Sequence, residues 1–336
     1  MKIDTILLDH GGGGKMSHRL VTDLLLPIFD NPILSQLHDG AVVDINGQRL
    51  AFSTDTFVVD PIFFPGGSIG NLAVNGTVND LAMCGAIPQY LSVGLILEEG
   101  LPIDDLERII NDSCFAAQKA GVMVVTGDTK VVPKGAVDKI FINTSGVGRI
   151  PEDVDISSHK ARSGDKIILS GNIADHGMTI LTQREGMKFD SAIRSDTAAL
   201  NHMVANMLAV CKDIHVLRDP TRGGVGTALN EIADKSGIGI RIFEEKIPIR
   251  DETAGICELL GFDPLYVANE GKLIAFVPLQ DAENVLVAMR EDDCGQDACI
   301  IGETVSDNPG RVIMQTRIGG ARIVDMLTGE QLPRIC

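Results

Sequence analysis

Tryptophan is absent from the 336 residues and tyrosine occurs twice, so the chain has few flat rings on which nucleic-acid bases could stack. Positive charge is also scarce: 29 Lys and Arg stand against 46 Asp and Glu, a formal net charge of −17 that opposes a phosphate-backbone partner. Both shortages exclude nucleic acid. No apolar run approaches the length of a membrane span, and the stretch Ile6 to Leu8 is too short for a secretory leader. The expectation is a cytoplasmic protein with no membrane part. Cysteines at 84, 114, 211, 257, 294, 299 and 336 are odd in number and scattered, so they make no disulfide framework in a chain this large. Cys294 and Cys299 lack the Cys-x-x-Cys spacing of a structural zinc site.

What is present is a body that is 44% apolar and carries 36 glycines, the composition of a folded α/β protein with many tight turns. Its length favours two domains. From Ala41 to Gly148 the pattern reads as strand Arg49 to Thr56, helix Ser68 to Cys84, strand Tyr90 to Leu97, helix Asp104 to Ala120, and strands Val122 to Thr126 and Lys139 to Val147. Pro102, Asp104 and Asp105 open the second helix and Gly121 closes it. The polar stretch Pro151 to Gly164 reads as a link.

A second alternation follows: strand Lys166 to Ser170, helices near Met178 to Arg184, Thr197 to Val210, Gly223 to Lys235 and Ala282 to Met289, and strands Ile238 to Phe243 and Leu273 to Val277. The predicted division is 1–150, 151–320 and a flexible tail 321–336 ending Leu332-Pro333-Arg334-Ile335-Cys336. The predicted class is α/β of the α+β type, with mostly antiparallel or mixed sheets covered by helices.

An acidic chain repels a nucleoside triphosphate unless metal ions, amide donors and placed lysines offset the charge, and the motifs supply these types. Gly11-Gly12-Gly13-Gly14-Lys15 could lay backbone amides against phosphates. It is not a Walker A loop, because Asp9 stands where the first glycine is required and Met16 where Ser or Thr is. Asp55, Asn79, Asp80, Asp128, Thr129 and Asp219 sit among Gly and Thr at element edges, and hard carboxylates there suit Mg²⁺ bridging to phosphate oxygens. Singly, each Asp is more often a turn or cap residue, and it is their shared surroundings of Gly and Thr that favour the site. Asp175-His176-Gly177 and Asn269-Glu270-Gly271-Lys272 are polar insertions where a general base can be mounted. Cys336, taken by its own chemistry, is a terminal thiol beside a carboxylate that discourages the thiolate.

Together, His10 to Lys15, Phe52 to Gly67, Gly76 to Pro88, Thr126 to Lys130, Arg218 to Gly224, Ala268 to Lys272 and the final Pro-Arg-Ile-Cys resemble the HypE family of hydrogenase expression/formation proteins. That family belongs to the superfamily of aminoimidazole ribonucleotide synthetase and selenophosphate synthetase, and the likeness spans essentially the whole chain. It implies a PurM-like fold, a homodimer that pairs N-terminal sheets, ATP and Mg²⁺ beneath the glycine loop, Asp55, Asp80 and Asp219 as metal ligands, and Asp128 nearby. It further implies that the carbamoyltransferase HypF loads Cys336 with a carbamoyl group, which this protein dehydrates to a thiocyanate. The cyano group then passes to the iron of a HypC–HypD complex for [NiFe] hydrogenase. Lys15 or Lys130 would stabilise the transferred phosphoryl group. Glu270 is the first candidate for the base, with Lys134 and His176 as alternatives. A selenophosphate synthetase is disfavoured, since the first cysteine is Cys84, and a non-catalytic nucleotide-gated scaffold is the alternative of another class.

Overall fold

The computed structural model describes residues 5–187, 193–329, 331–332 and 334–336; Pro333 of the terminal motif lies outside them. The first lobe contains α1 (Lys15–Leu20), α2 (Leu26–Phe29), β1 (Ala41–Ile45), β2 (Gln48–Phe57), β3 (Phe63–Phe64), β4 (Gly67–Ser68), α3 (Ile69–Met83), β5 (Ile87–Glu98), α4 (Ile103–Ala120), β6 (Met123–Val132) and β7 (Ile140–Arg149). Its main sheet runs β1-β2-β7-β5-β6, antiparallel except for the parallel β5–β6 pair.

The second lobe contains β8 (Lys166–Leu169), α5 (Asp175–Arg184), α6 (Asn201–Val210), β9 (Val216–Arg218), α7 (Gly224–Ser236), β10 (Gly239–Phe243), α8 (Asp251–Leu260), β11 (Ile274–Val277), α9 (Ala282–Arg290), β12 (Cys299–Val305), β13 (Val312–Gln315) and β14 (Ala321–Val324). Its sheet runs β14-β13-β10-β12-β8-β11-β9, antiparallel except for β10–β13. Both sheets are therefore mixed and predominantly antiparallel, with helices packed against them, as the α+β reading expects.

Local chemistry explains the helices that frame the site. Ser68 caps α3: its hydroxyl accepts from the Gly70 amide, and Asn71 Oδ1 accepts the Ser68 amide at 3.0 Å. The same hydroxyl donates to Asp112 on α4 at 2.6 Å, tying the two helices together. On α4, Asp104 and Asp105 occupy the positive first turn, and Gly121 closes the helix at φ 72°, where a side chain would be strained. α3 is buried along nearly its whole length and packs into a core shared by both lobes, in which Leu81, Ala82 and Met83 meet Met203, Met207, Leu217 and Leu273.

The expected free tail is not free over its described length. Ala321–Val324 pairs antiparallel with β13, because Val324 finds a buried place on the second sheet. Farther on, Ile335 is 4% exposed in the core with Phe57, Phe64 and Ile180. Among the described residues, no helix is long and apolar enough to cross a membrane.

Candidate active site

Between the lobes lies a cavity of about 430 Å³. β2 alternates in burial, so Ala51, Ser53 and Phe57 face α3 and bring Asp55 to the same side, while Thr54 and Thr56 point to the uncovered face. Asp80 comes from the last turn of α3, Asp39 from the segment entering β1, and Asp219 from the residue after β9. One carboxylate oxygen each of Asp39, Asp80 and Asp219 lies within 4.8 Å of the others, and Asp55 stands in the same cavity wall.

This crowding has electrostatic consequences. Burial, then the charges of Asp219, Asp55 and Asp39, push the Asp80 carboxyl well above the usual carboxylate range, against a 2.6 Å hydrogen bond from Ser53. Burial, then Asp39, pushes buried Asp219 up to about 7, with Arg218 pulling the other way. Asp55 is raised by burial despite the opposing charge of Arg222. Arg218 partly offsets the cluster through ion pairs with Asp39 and with Glu231 at 3.0 Å. Carboxylates gathered this closely could hold a hard cation: the donors are all oxygens, and the protons they hold are those a divalent ion would displace.

Glu270, on the segment leading into β11, is buried in the same wall, and its Oε1 has no hydrogen-bond partner among the described residues. Burial, followed by Asp55, Asp219 and Asp196, pushes its carboxyl well above the usual range, while Arg222 opposes the shift. Its amide donates to Asp196 at 3.0 Å, which fixes the backbone that carries it. Cys336 enters this cavity from the chain end. The Val58 amide donates to the Cys336 carbonyl at 2.9 Å. Arg334 reaches Asp138 at 2.8 Å and the Val58 carbonyl at 3.0 Å. The glycine loop leans on the same terminal segment: the Lys15 amide donates to the Leu327 carbonyl at 2.7 Å, and a Cβ on Gly14 would stand 2.4 Å from that oxygen.

The structure thus gathers Asp55, Asp80, Asp219, Glu270 and Cys336 around one cavity and adds Asp39, which sequence reasoning missed; its signal was an acid immediately before Gly40 at the start of β1. Asp39, rather than Asp55, completes the close trio, because its loop carries it to Arg218. Gly13 lines the cavity, Gly12 faces a small neighbouring one, Gly11 accepts a hydrogen bond from Arg222 at 3.1 Å, and Lys15 lies 3.9 Å from Asp325. Asn79 does not line the cavity: its side chain holds the Ala198 carbonyl at 3.0 Å and the Leu200 amide at 2.8 Å. Asp128, Thr129 and Lys130 lie exposed on edge strand β6, with Lys130 paired to Asp128 at 2.8 Å, and Lys134 is exposed in the loop after it. These four stand outside the cavity of their own chain because β6 is at the far edge of the sheet from β2. His176 lies behind the cavity, against the tail.

Residues 37–150 match the N-terminal domain of AIR synthase related proteins and residues 162–315 match the C-terminal domain, so both lobes define an enzyme fold of that class. A carbamoyl dehydratase HypE from Azotobacter vinelandii is 52% identical over 97% of this chain and 96% of its own length. A crystal structure of the hydrogenase maturation protein HypE in complex with ATP superposes with a TM-score of 0.84 at 53% identity, over 99% of this chain and 100% of that one. The HypE–HypF complex gives a TM-score of 0.88 at 45% identity, over 92% and 99% of the respective chains. The chain belongs to the HypE family of carbamoyl dehydratases.

Proposed function

We propose that the chain uses ATP to dehydrate a carbamoyl group carried on its own Cys336, leaving a thiocyanate that supplies cyanide for the iron of [NiFe] hydrogenase. The observation that carries this is the placement of Cys336 in the wall of the cavity that also holds the acidic trio and Glu270. An amide oxygen is a poor leaving group until it is phosphorylated. The carbonyl oxygen of the carbamoyl group attacks the γ-phosphorus of ATP, the bond from that phosphorus to the β-bridging oxygen breaks, and ADP leaves. The phosphorylated group sheds one of its two N–H protons to solvent as the neutral imidate forms; Glu270 then accepts the second as the C–O bond breaks, so that the nitrogen electrons complete the C≡N bond and phosphate departs with the former carbonyl oxygen.

Asp39, Asp80 and Asp219, with Asp55 beside them, would hold Mg²⁺, whose charge offsets that of the triphosphate in an otherwise acidic pocket. With the tail docked, Ile335, buried next to Cys336, would help keep water from the activated group. Loading by HypF and delivery to HypC–HypD require the tail to leave this position, so the docked tail is one of at least two states. The uncovered face of the first sheet exposes Phe52, Tyr90, Ile96 and Met123, an apolar surface that suits a second copy of the chain. Such a homodimer would also account for Asp128, Thr129 and Lys130 standing outside their own cavity, as contributions to the partner's nucleotide site.

Intact-mass measurement after incubation with HypF, carbamoyl phosphate and ATP tests the reading. The expected result is one carbamoyl adduct on the normal chain, followed by loss of one water when Mg²⁺ and ATP are present, and neither change in Cys336→Ala. An adduct that persists in Cys336→Ala would remove the terminal thiol from the account.

A further inference from the structure

Each of the last three residues presents a main-chain carbonyl, and each carbonyl is met by a donor. Arg184 Nη2 donates to the Arg334 carbonyl at 2.6 Å, His176 Nε2 lies 2.8 Å from the Ile335 carbonyl, and the Val58 amide takes the Cys336 carbonyl. Arg334 is held at φ 53°, so the tail adopts a bent shape that its surroundings impose.

His176 is fully buried on the first turn of α5, with its ring edge-on to Phe64. The hydrogen bonds around it fix its tautomer. The Ile335 carbonyl can only accept, so the ring proton sits on Nε2, which aims it at that oxygen. Nδ1 of the neutral ring is then an acceptor and takes the Ser195 hydroxyl proton, 2.7 Å away, while the Thr197 amide donates to Ser195 Oγ at 3.1 Å. The nitrogen that could accept a proton faces Ser195 rather than Cys336, which argues against His176 as the base.

We propose that His176, oriented by Ser195, is the positioning residue that sets the register in which Cys336 enters the cavity. The inference rests on the reading of Cys336 as the carrier. When the tail leaves, a buried N–H loses its partner, so the docked state is favoured by the cost of that loss. Sliding the tail by one residue would present the ring with a different carbonyl and shift the thiol along the cavity wall.

The test is a timed iodoacetamide pulse on the full chain without nucleotide, reading alkylation of the C-terminal peptide alone. His176→Phe is expected to expose Cys336 to alkylation about tenfold faster. His176→Gln, whose amide nitrogen can replace Nε2, stays within about threefold of the normal rate, and Ser195→Ala falls between the two. In single turnovers, His176→Phe lowers the rate of water loss without changing ATP affinity, and His176→Gln keeps the normal pH profile. Unchanged alkylation in folded His176→Phe, or in Ser195→Ala should the first variant not fold, would overturn the proposal. So would loss of the reaction in His176→Gln with normal alkylation, which would place the ring in the chemistry. The alkylation assay needs neither ATP nor the carbamoyl group, so its failure is distinct from failure of the dehydration reading.

Discussion

Asp80→Asn leaves loading of Cys336 by HypF intact but lowers ATP-dependent loss of water by about a thousandfold or more, the scale expected when the charge offsetting a transferred phosphoryl group is lost. The reason lies in the cluster: Asp80 sits at the end of α3 between Asp39 and Asp219, with Ser53 fixing one carboxylate oxygen. Without a cation these carboxylates oppose one another, and their raised pKa values set the sign of the pH effect. Asp219, raised from 3.8 to about 7, keeps its proton in the folded chain over a range where the unfolded chain has released it. Its contribution to stability is therefore greatest below pH ~4 and declines as pH rises towards about 7. Asp80→Asn removes one of the repelling charges, so at pH 8 the metal-free Tm rises, by roughly 2 °C or more, while the further rise produced by Mg²⁺ shrinks. Dehydration at the normal rate would take Asp80 out of the ion site.

Glu270→Gln lowers formation of the thiocyanate by about a hundredfold to ten-thousandfold, the range associated with loss of a positioned base. The substitution keeps the side-chain shape and leaves the backbone bond to Asp196 in place, so nucleotide binding is retained. In the normal chain, dehydration rises with pH as Glu270 gives up the proton that burial holds on it, and this acidic limb disappears in Glu270→Gln. A variant within a few-fold of normal would move the proton acceptor elsewhere, with Lys134 the next residue to replace.

Much of the fold was legible because its signals are local. Ser68, the Asp104–Asp105 pair and Gly121 mark their helix ends by capping and charge. The strands Gln48–Phe57 and Ile140–Arg149 run within two residues of their expected limits. Elements that depend on distant pairing were missed. β9 is three residues long, and β14 is a run of four whose place is set by pairing with β13. The helix expected from Thr197 begins at Asn201, because the preceding residues turn back to hold Asn79 and Glu270.

At the site, Asp55, Asp80, Asp219 and Glu270 stood out as acids among glycine and threonine. Asp39 could not be separated from an ordinary turn, since only the return of β9 brings Asp219 and Arg218 to it. Asn79 adjoins Asp80 in sequence yet faces the other lobe, a distinction made by packing and not by spacing. The tail's path was likewise invisible: the contacts of residues 334–336 with Val58, His176 and Arg184 all join parts of the chain far apart in sequence.

The central claim is that ATP phosphorylates the oxygen of a carbamoyl group borne on Cys336. Its most direct test loads Cys336 with a carbamoyl group carrying heavy oxygen, adds ATP and Mg²⁺ for a single turnover, and measures the isotope in the phosphate released. The account predicts one heavy oxygen transferred to phosphate for each thiocyanate formed. Unlabelled phosphate, with the heavy oxygen recovered in water or retained on the chain, would contradict it.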